Sequence, residues 1–264
     1  MALIEKLTAI GNAIREKKGT TDLIPLADMP QAIRDISVSG GDAVDLLQYV
    51  TNASQLFLKA TSFPSKAVVN LPNATTIYQA FAQWNTKPIP IVEELTVNAP
   101  NITVNNKQSC MGQMFYLNNG VEKVILNVSD EIQYMENTFS NCGILEEVVL
   151  NFSTKNITSY VSAFANNRTL KRILGVLDFS SATNVGYMFA SCADLKEVTF
   201  KPNTLSISIS LNGSGNLTSE SIQSIIDGLA TVETQQKLTL HTNIVAILTP
   251  EQLTTIANKN WTVG

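Results

Sequence analysis

Phenylalanine recurs at Phe115, Phe139, Phe164 and Phe189, with spacings of 24, 25 and 25 residues, each time in a similar frame: MFYLNNGVEKVIL, TFSNCGILEEVVL, AFANNRTLKRILG and MFASCADLKEVTF. Six residues after each Phe stand Val121, Leu145, Leu170 and Leu195, and nine after stand Val124, Val148, Ile173 and Val198. A fixed period of this length, with apolar columns in register, is the signature of a stacked repeat. Phe81 opens an earlier unit whose columns reappear at Val92 and Leu95 if about five residues are inserted near Pro88 and Pro90. Phe57 lies 24 residues further upstream with poorly fitting columns, and reads as a degenerate, capping repeat.

Each unit carries a short alternating segment such as Glu147-Val148-Val149-Leu150, whose period of two places Val148 and Leu150 on one face. One such strand cannot bury its apolar side alone. Stacking units in parallel, with rungs about 4.8 Å apart, buries the Phe, Leu and Val columns in a common interior. The expected fold is therefore α/β, a repeat solenoid of stacked parallel strands. Equivalent outward residues become neighbours on adjacent rungs, and eight after each Phe, allowing for the insertion that follows Phe81, they read Glu94, Lys123, Glu147, Arg172 and Glu197, alternating in sign. Such a ladder sets register rather than chemistry, because a one-rung slip creates like-charge contacts.

Two outward columns form the candidate protein-binding strand face. The first, ten after Phe once the insertion following Phe81 is discounted, is Thr96, Ile125, Val149, Leu174 and Thr199; the second, two residues later, is Asn98, Asn127 and Asn151. An apolar stripe beside a polar ladder is what an interaction surface looks like, although β-propensity or a covering segment accounts for such a column equally well.

Chemistry is sparse. Cys110, Cys142 and Cys192 form no CxxC pair, so neither a disulfide framework nor a zinc site is expected. Cys142 and Cys192 share a column with Asn167 between them, which puts them about 9.6 Å apart, beyond the reach of a disulfide. His241 has no second histidine to share a metal, and LNGSGNLTS (211–219) lacks the Lys-Ser/Thr of a phosphate loop. Glu93, Glu122 and Glu146 fit a solvated edge better than an acid/base pair. No catalytic, cofactor-binding or metal residue is assigned, and no enzyme is expected.

Charged residues are only 15% of the 264, with 18 Lys+Arg against 22 Asp+Glu, so a broad basic surface for nucleic acid is excluded. The first residues lack the continuous apolar centre of a secretory signal, and no apolar run approaches the roughly 18 residues of a membrane span. The chain as written is expected in the cytoplasm or on a virion, with a cell-surface location open if the true start lies upstream.

TNVGYMFASCADLKEVTF (183–200) and its relatives resemble the repeats of BspA-like bacterial leucine-rich repeat proteins, over about residues 70 to 202. The resemblance implies a right-handed, curved leucine-rich repeat solenoid that binds proteins or surfaces. LTAIGNAIREKKGTTDLIPLADMPQAIRDI, near the N-terminus, resembles a segment of phage and prophage tail-associated proteins. That implies a virion-associated role, with a bacterial surface adhesin binding host protein as the alternative. In physical terms, Leu3, Leu7, Ile10 and Ile14 stripe one helix and Met29, Ile33 and Ile36 a second. This hairpin either caps the first rung or attaches the chain to an assembly or a second copy.

The expected organisation is an N-terminal helical hairpin (1–40), the solenoid (41–210) and a C-terminal cap (211–264). In the cap, Ile222, Ile225, Ile226 and Leu229 form a helical stripe after Thr218, and Lys237-Leu238-Thr239-Leu240 alternates as a strand. Thr249, Pro250 and Gln252 open a second helix with a capping box, and Trp261 closes the chain.

Overall fold

Alternating segments do become strands, and they stack. A computed structural model describes residues 47, 50–60, 63–84, 91–103 and 111–264. The expected hairpin of residues 1–40 and Cys110 lie outside them. The strands β1 (Lys66–Asn70), β2 (Glu94–Ala99), β3 (Lys123–Val128), β4 (Glu147–Leu150), β5 (Arg172–Leu177) and β6 (Glu197–Phe200) form one open six-stranded sheet in chain order. Every pairing is parallel, as stacked repeats require, and the arrangement is compatible with the expected solenoid.

The Phe column forms the opposite wall of the core. Successive rings of Phe57, Phe81, Phe115, Phe139, Phe164 and Phe189 stack at centroid separations of 5.0, 5.1, 5.3, 5.5 and 5.9 Å. Phe57 is thus a full member of the spine. Its columns fit poorly in the sequence because its strand starts at Lys66, nine residues after the ring, where Lys123 stands eight after Phe115.

Each Phe sits at the centre of a turn whose second residue before and second residue after are left-handed, at φ between 52° and 62° from Gln55 and Lys59 through to Tyr187 and Ser191. This kinked backbone hydrogen-bonds alternately to itself and to the next rung. In one turn, Thr138 N donates to Met135 O at 3.2 Å within the turn, while Phe139 N reaches Ala163 O at 2.9 Å across rungs. Two ladders, one of strands and one of turns, therefore run the length of the array and leave few orphan backbone groups.

The sheet ends at a helix. In α1 (Ser219–Gly228), capped by the Thr218 side chain, Ser221 Oγ accepts from Val198 N at 3.1 Å and Ser224 Oγ accepts from Phe200 N at 3.0 Å. Two serine hydroxyls stand where a seventh strand's carbonyls would, which closes the β6 edge to further pairing. The C-terminal end of α1 is closed by the Lys259 ammonium, which donates to Ile226 O, Asp227 O and Leu229 O at 3.1, 2.9 and 2.7 Å.

Beyond β6 the chain departs from the simple helix, strand, helix reading. A second parallel sheet, β7 (Ile209–Leu211), β8 (Gln236–Leu240) and β9 (Trp261–Val263), alternates with α1, the short α2 (Thr242–Val245) and α3 (Pro250–Asn258). Thr249 and Gln252 form the capping box of α3. Trp261 opens β9, buried, with its indole N–H on Ala230 O at 2.8 Å. No described helix is long and apolar enough to cross a membrane.

Candidate functional site

Outward positions of the sheet form three parallel columns. In the first, Lys123 Nζ lies 2.9 Å from Glu94 and 3.3 Å from Glu147, and Arg172 Nε donates to Glu147 at 2.6 Å. Register adds Lys66 opposite Glu94 and Glu197 opposite Arg172, so the sign alternates over all six strands. Burial of Glu147 works against ionisation, yet the flanking Arg172 and Lys123 outweigh it and hold this carboxyl below its ordinary range. Arg172 is held above its own by Glu147, and Lys123 by Glu94 and Glu147. Most of the ladder is solvated, so its value lies in register more than in stability.

The second column is apolar. Thr96 pairs with Ile125, Ile125 with Val149 and Val149 with Leu174, which brings four of the five expected residues together. The fifth is displaced, since Thr199 stands opposite Val176 rather than Leu174 because β5 bulges between Arg172 and Val176. Gly175, at φ 113°, makes the bulge, and a Cβ there would lie 2.7 Å from Leu150 O. The two extra residues shift Val176, 51% exposed, from the position of the asparagines in other rungs into the apolar column beside Leu174. At the other end Val68, 48% exposed, pairs with Thr96. Sequence reading missed both residues: Val68 belongs to the rung with the extra residue, and Val176 falls off the period after the glycine.

Asparagine fills the third column. Asn98, Asn127 and Asn151 form a side-chain amide ladder that also takes in Asn70. Each Nδ2 donates to the Oδ1 of the preceding rung: Asn98 to Asn70 at 2.6 Å, Asn127 to Asn98 at 2.6 Å and Asn151 to Asn127 at 2.8 Å. The ladder rigidifies one margin of the face and fixes its amides in a single orientation.

Chemistry elsewhere is structural. His241 caps α2, its Nδ1 accepting from Asn243 N at 3.2 Å. Burial pushes the Cys142 and Cys192 thiols up to about 12, so neither is a nucleophile at neutral pH. Among the described residues no group of three or more His, Cys, Asp or Glu is placed to hold a metal. An open groove of about 630 Å³ lies between β6 and α1, bordered by Thr199, Pro202, Glu220, Gln223, Asp227 and Gln252.

Residues 109–208 match a family model described as "Mycoplasma protein of unknown function, DUF285". The matched span runs from before the Phe115 turn to just past β6, and together with the parallel sheet it fits a repeat protein. No curated protein and no solved structure matches the chain.

Proposed function

We propose that the chain is a non-enzymatic binding and structural protein that presents the outward face of β1–β6 to a protein or cell-surface ligand. The observation that carries this reading is the continuous column Val68, Thr96, Ile125, Val149, Leu174 and Val176, bordered by a charge ladder on one side and an amide ladder on the other. An apolar strip with polar margins is built for contact, and it stands on a rigid sheet rather than on loops. The described titratable groups with a clear partner, such as Glu147 and Asp178, are tied to neighbouring cations, which favours a structural role over an acid/base one.

The setting we propose is a prophage or phage tail, on the resemblance of residues 1–40, where the solenoid contacts a host surface or another virion component. A bacterial surface adhesin that binds host protein is the second reading, favoured by the match of residues 109–208 to a family of bacterial proteins. Neither reading calls for nucleic acid, a cofactor or membrane insertion.

Val149→Asp tests the face. The side chain points away from the core, so circular dichroism and the melting curve should stay close to wild type. Retention of purified protein on bacterial or host-cell envelopes should fall at least about tenfold, the loss expected when a charge enters an apolar contact. Equal retention would remove this face from consideration.

A further inference from the structure

We infer that the strand face is self-complementary and that its occupant is a second copy of this chain, packed face to face about a two-fold axis parallel to the strands. This deepens the proposed binding role of the same face and rests on it.

The argument comes from the parity of the charge ladder. From β1 to β6 it reads Lys66, Glu94, Lys123, Glu147, Arg172, Glu197, six positions of alternating sign. A two-fold axis along the strand direction, midway between β3 and β4, keeps every column over its own counterpart and reverses the order of rungs. Rung one then faces rung six, rung two faces five and rung three faces four. In a ladder with an even number of alternating charges, each such pairing is opposite in sign. Lys66 meets Glu197, Glu94 meets Arg172, and Lys123 meets Glu147 of the other copy, each contact occurring twice, as an isologous interface demands.

The same operation lays apolar on apolar, and at the centre of the amide ladder Asn127 on Asn151. Ile125 faces Val149 at the centre, Thr96 faces Leu174 and Val176, and Val68 faces Thr199. The alternative two-fold, along the stacking direction, sets the charge column against the Asn column and leaves every charge without a partner, so electrostatics selects the first arrangement. The column one residue earlier contributes no net attraction in this packing, because Glu93 comes to Lys171 but Glu122 comes to Glu146. The face spans about 24 Å across six rungs and about 15 Å along the strands, so about 700 Å² is buried in total, below the roughly 1,200 Å² of stable interfaces, and the association should be weak, in the high micromolar range.

Crossed charge reversal tests this on the full chain. Lys66 and Glu197 lie five rungs apart in one copy, about 24 Å, beyond the roughly 8 to 10 Å over which exposed charges act at moderate salt. Neither therefore senses the other except across the interface. Sedimentation velocity from about 1 μM to about 1 mM should show a monomer–dimer equilibrium for wild type. Lys66→Glu alone and Glu197→Lys alone should each weaken dimerisation at least about tenfold, since each homodimer carries two like-charge contacts.

In an equimolar mixture of the two single variants the heterodimer carries only opposite-sign contacts, so the mixture should dimerise within about threefold of wild type, as should the double variant. Glu94→Lys with Arg172→Glu gives the same crossed test one rung further in, should an edge variant fail to fold. Single variants that dimerise like wild type, or a mixture that does not recover, would overturn the arrangement. A chain that stays monomeric throughout overturns the second copy as occupant. If its envelope retention still falls with Val149→Asp, the binding face survives that result with a different partner; if neither responds, both proposals fail.

Discussion

Cys192 Sγ donates to the carbonyl oxygen of Phe164 at 3.0 Å, one rung below it. Every rung repeats the contact with whatever donor it has, always from three residues after the Phe: Trp84 Nε1 to Phe57 O at 2.7 Å, Asn118 Nδ2 to Phe81 O at 2.7 Å, Cys142 Sγ to Phe115 O at 3.1 Å and Asn167 Nδ2 to Phe139 O at 2.7 Å. The left-handed turn points the Phe carbonyl into the core, where it needs a partner, and indole, amide and thiol all serve. A column that looks chemically random is uniform in function.

The donors differ in how much they hold. Asn167 also donates to Phe164 O at 2.9 Å and accepts from Cys142 N at 2.7 Å. Asn167→Ala therefore orphans the Phe139 carbonyl and the Cys142 N–H in a buried site, whereas Cys192→Ala removes only a weak donor from Phe164 O, which keeps its bond from Asn167. We expect a loss of about 2 to 4 kcal/mol for the first and about 1 kcal/mol or less for the second in urea melts. Equal losses would mean that the column is merely packed.

The same burial protects the thiols. With both Cys142 and Cys192 pushed up to about 12, neither forms thiolate in the folded chain at neutral pH. In a Cys110→Ser background, a thiol-specific disulfide reagent at pH 8 should leave both unreacted until denaturant is added. Rapid labelling of the native protein would contradict the burial.

Acid should act through Glu147 and Asp178. Burial opposes ionisation of each, but Arg172 and Lys123 around Glu147, and Lys201 beside Asp178, outweigh it and hold both folded-state values low. A carboxyl depressed on folding stabilises above its unfolded value, near 4, and that contribution is lost as pH falls through the folded value. Melting temperature should therefore be level from neutral pH down to about 5 and fall below about 4, with a shallower fall in Glu147→Gln. An unchanged slope in that variant would show that Glu147 is not linked to folding.

How much was legible in the sequence follows from which physical signal each feature leaves. Phe139, Phe164 and Phe189 advertise the stack because burial demands one residue type at a fixed period. Glu94 to Glu197 advertise register because charges must alternate. The left-handed positions leave a fainter trace, a bias toward Gln and Asn such as Gln79, Gln113, Asn141 and Asn166 that is broken by Leu117, Ser162 and Tyr187, where only the backbone angle repeats. The donor column was hidden for the opposite reason, as different residues do one job. The strands β7 and β9, three residues each, are too short for a period of two to stand out.

The bulge at Gly175 decides where the apolar face ends. Its φ of 113° lies where side chains are strained, and a Cβ would press on Leu150 O, a backbone atom that cannot swing away. Gly175→Ala should cost about 2 to 4 kcal/mol, or roughly 5 to 12 °C in melting temperature for a chain of this size. If the strand instead relaxes to regular pairing, Thr199 moves opposite Leu174 and Val176 slips along the same face to stand opposite Lys201, out of the apolar column. Amide exchange then separates the outcomes: uniform loss of protection across β5 and β6 reports strain, whereas new protection at residues 174–176 reports a shifted register that shortens the exposed column.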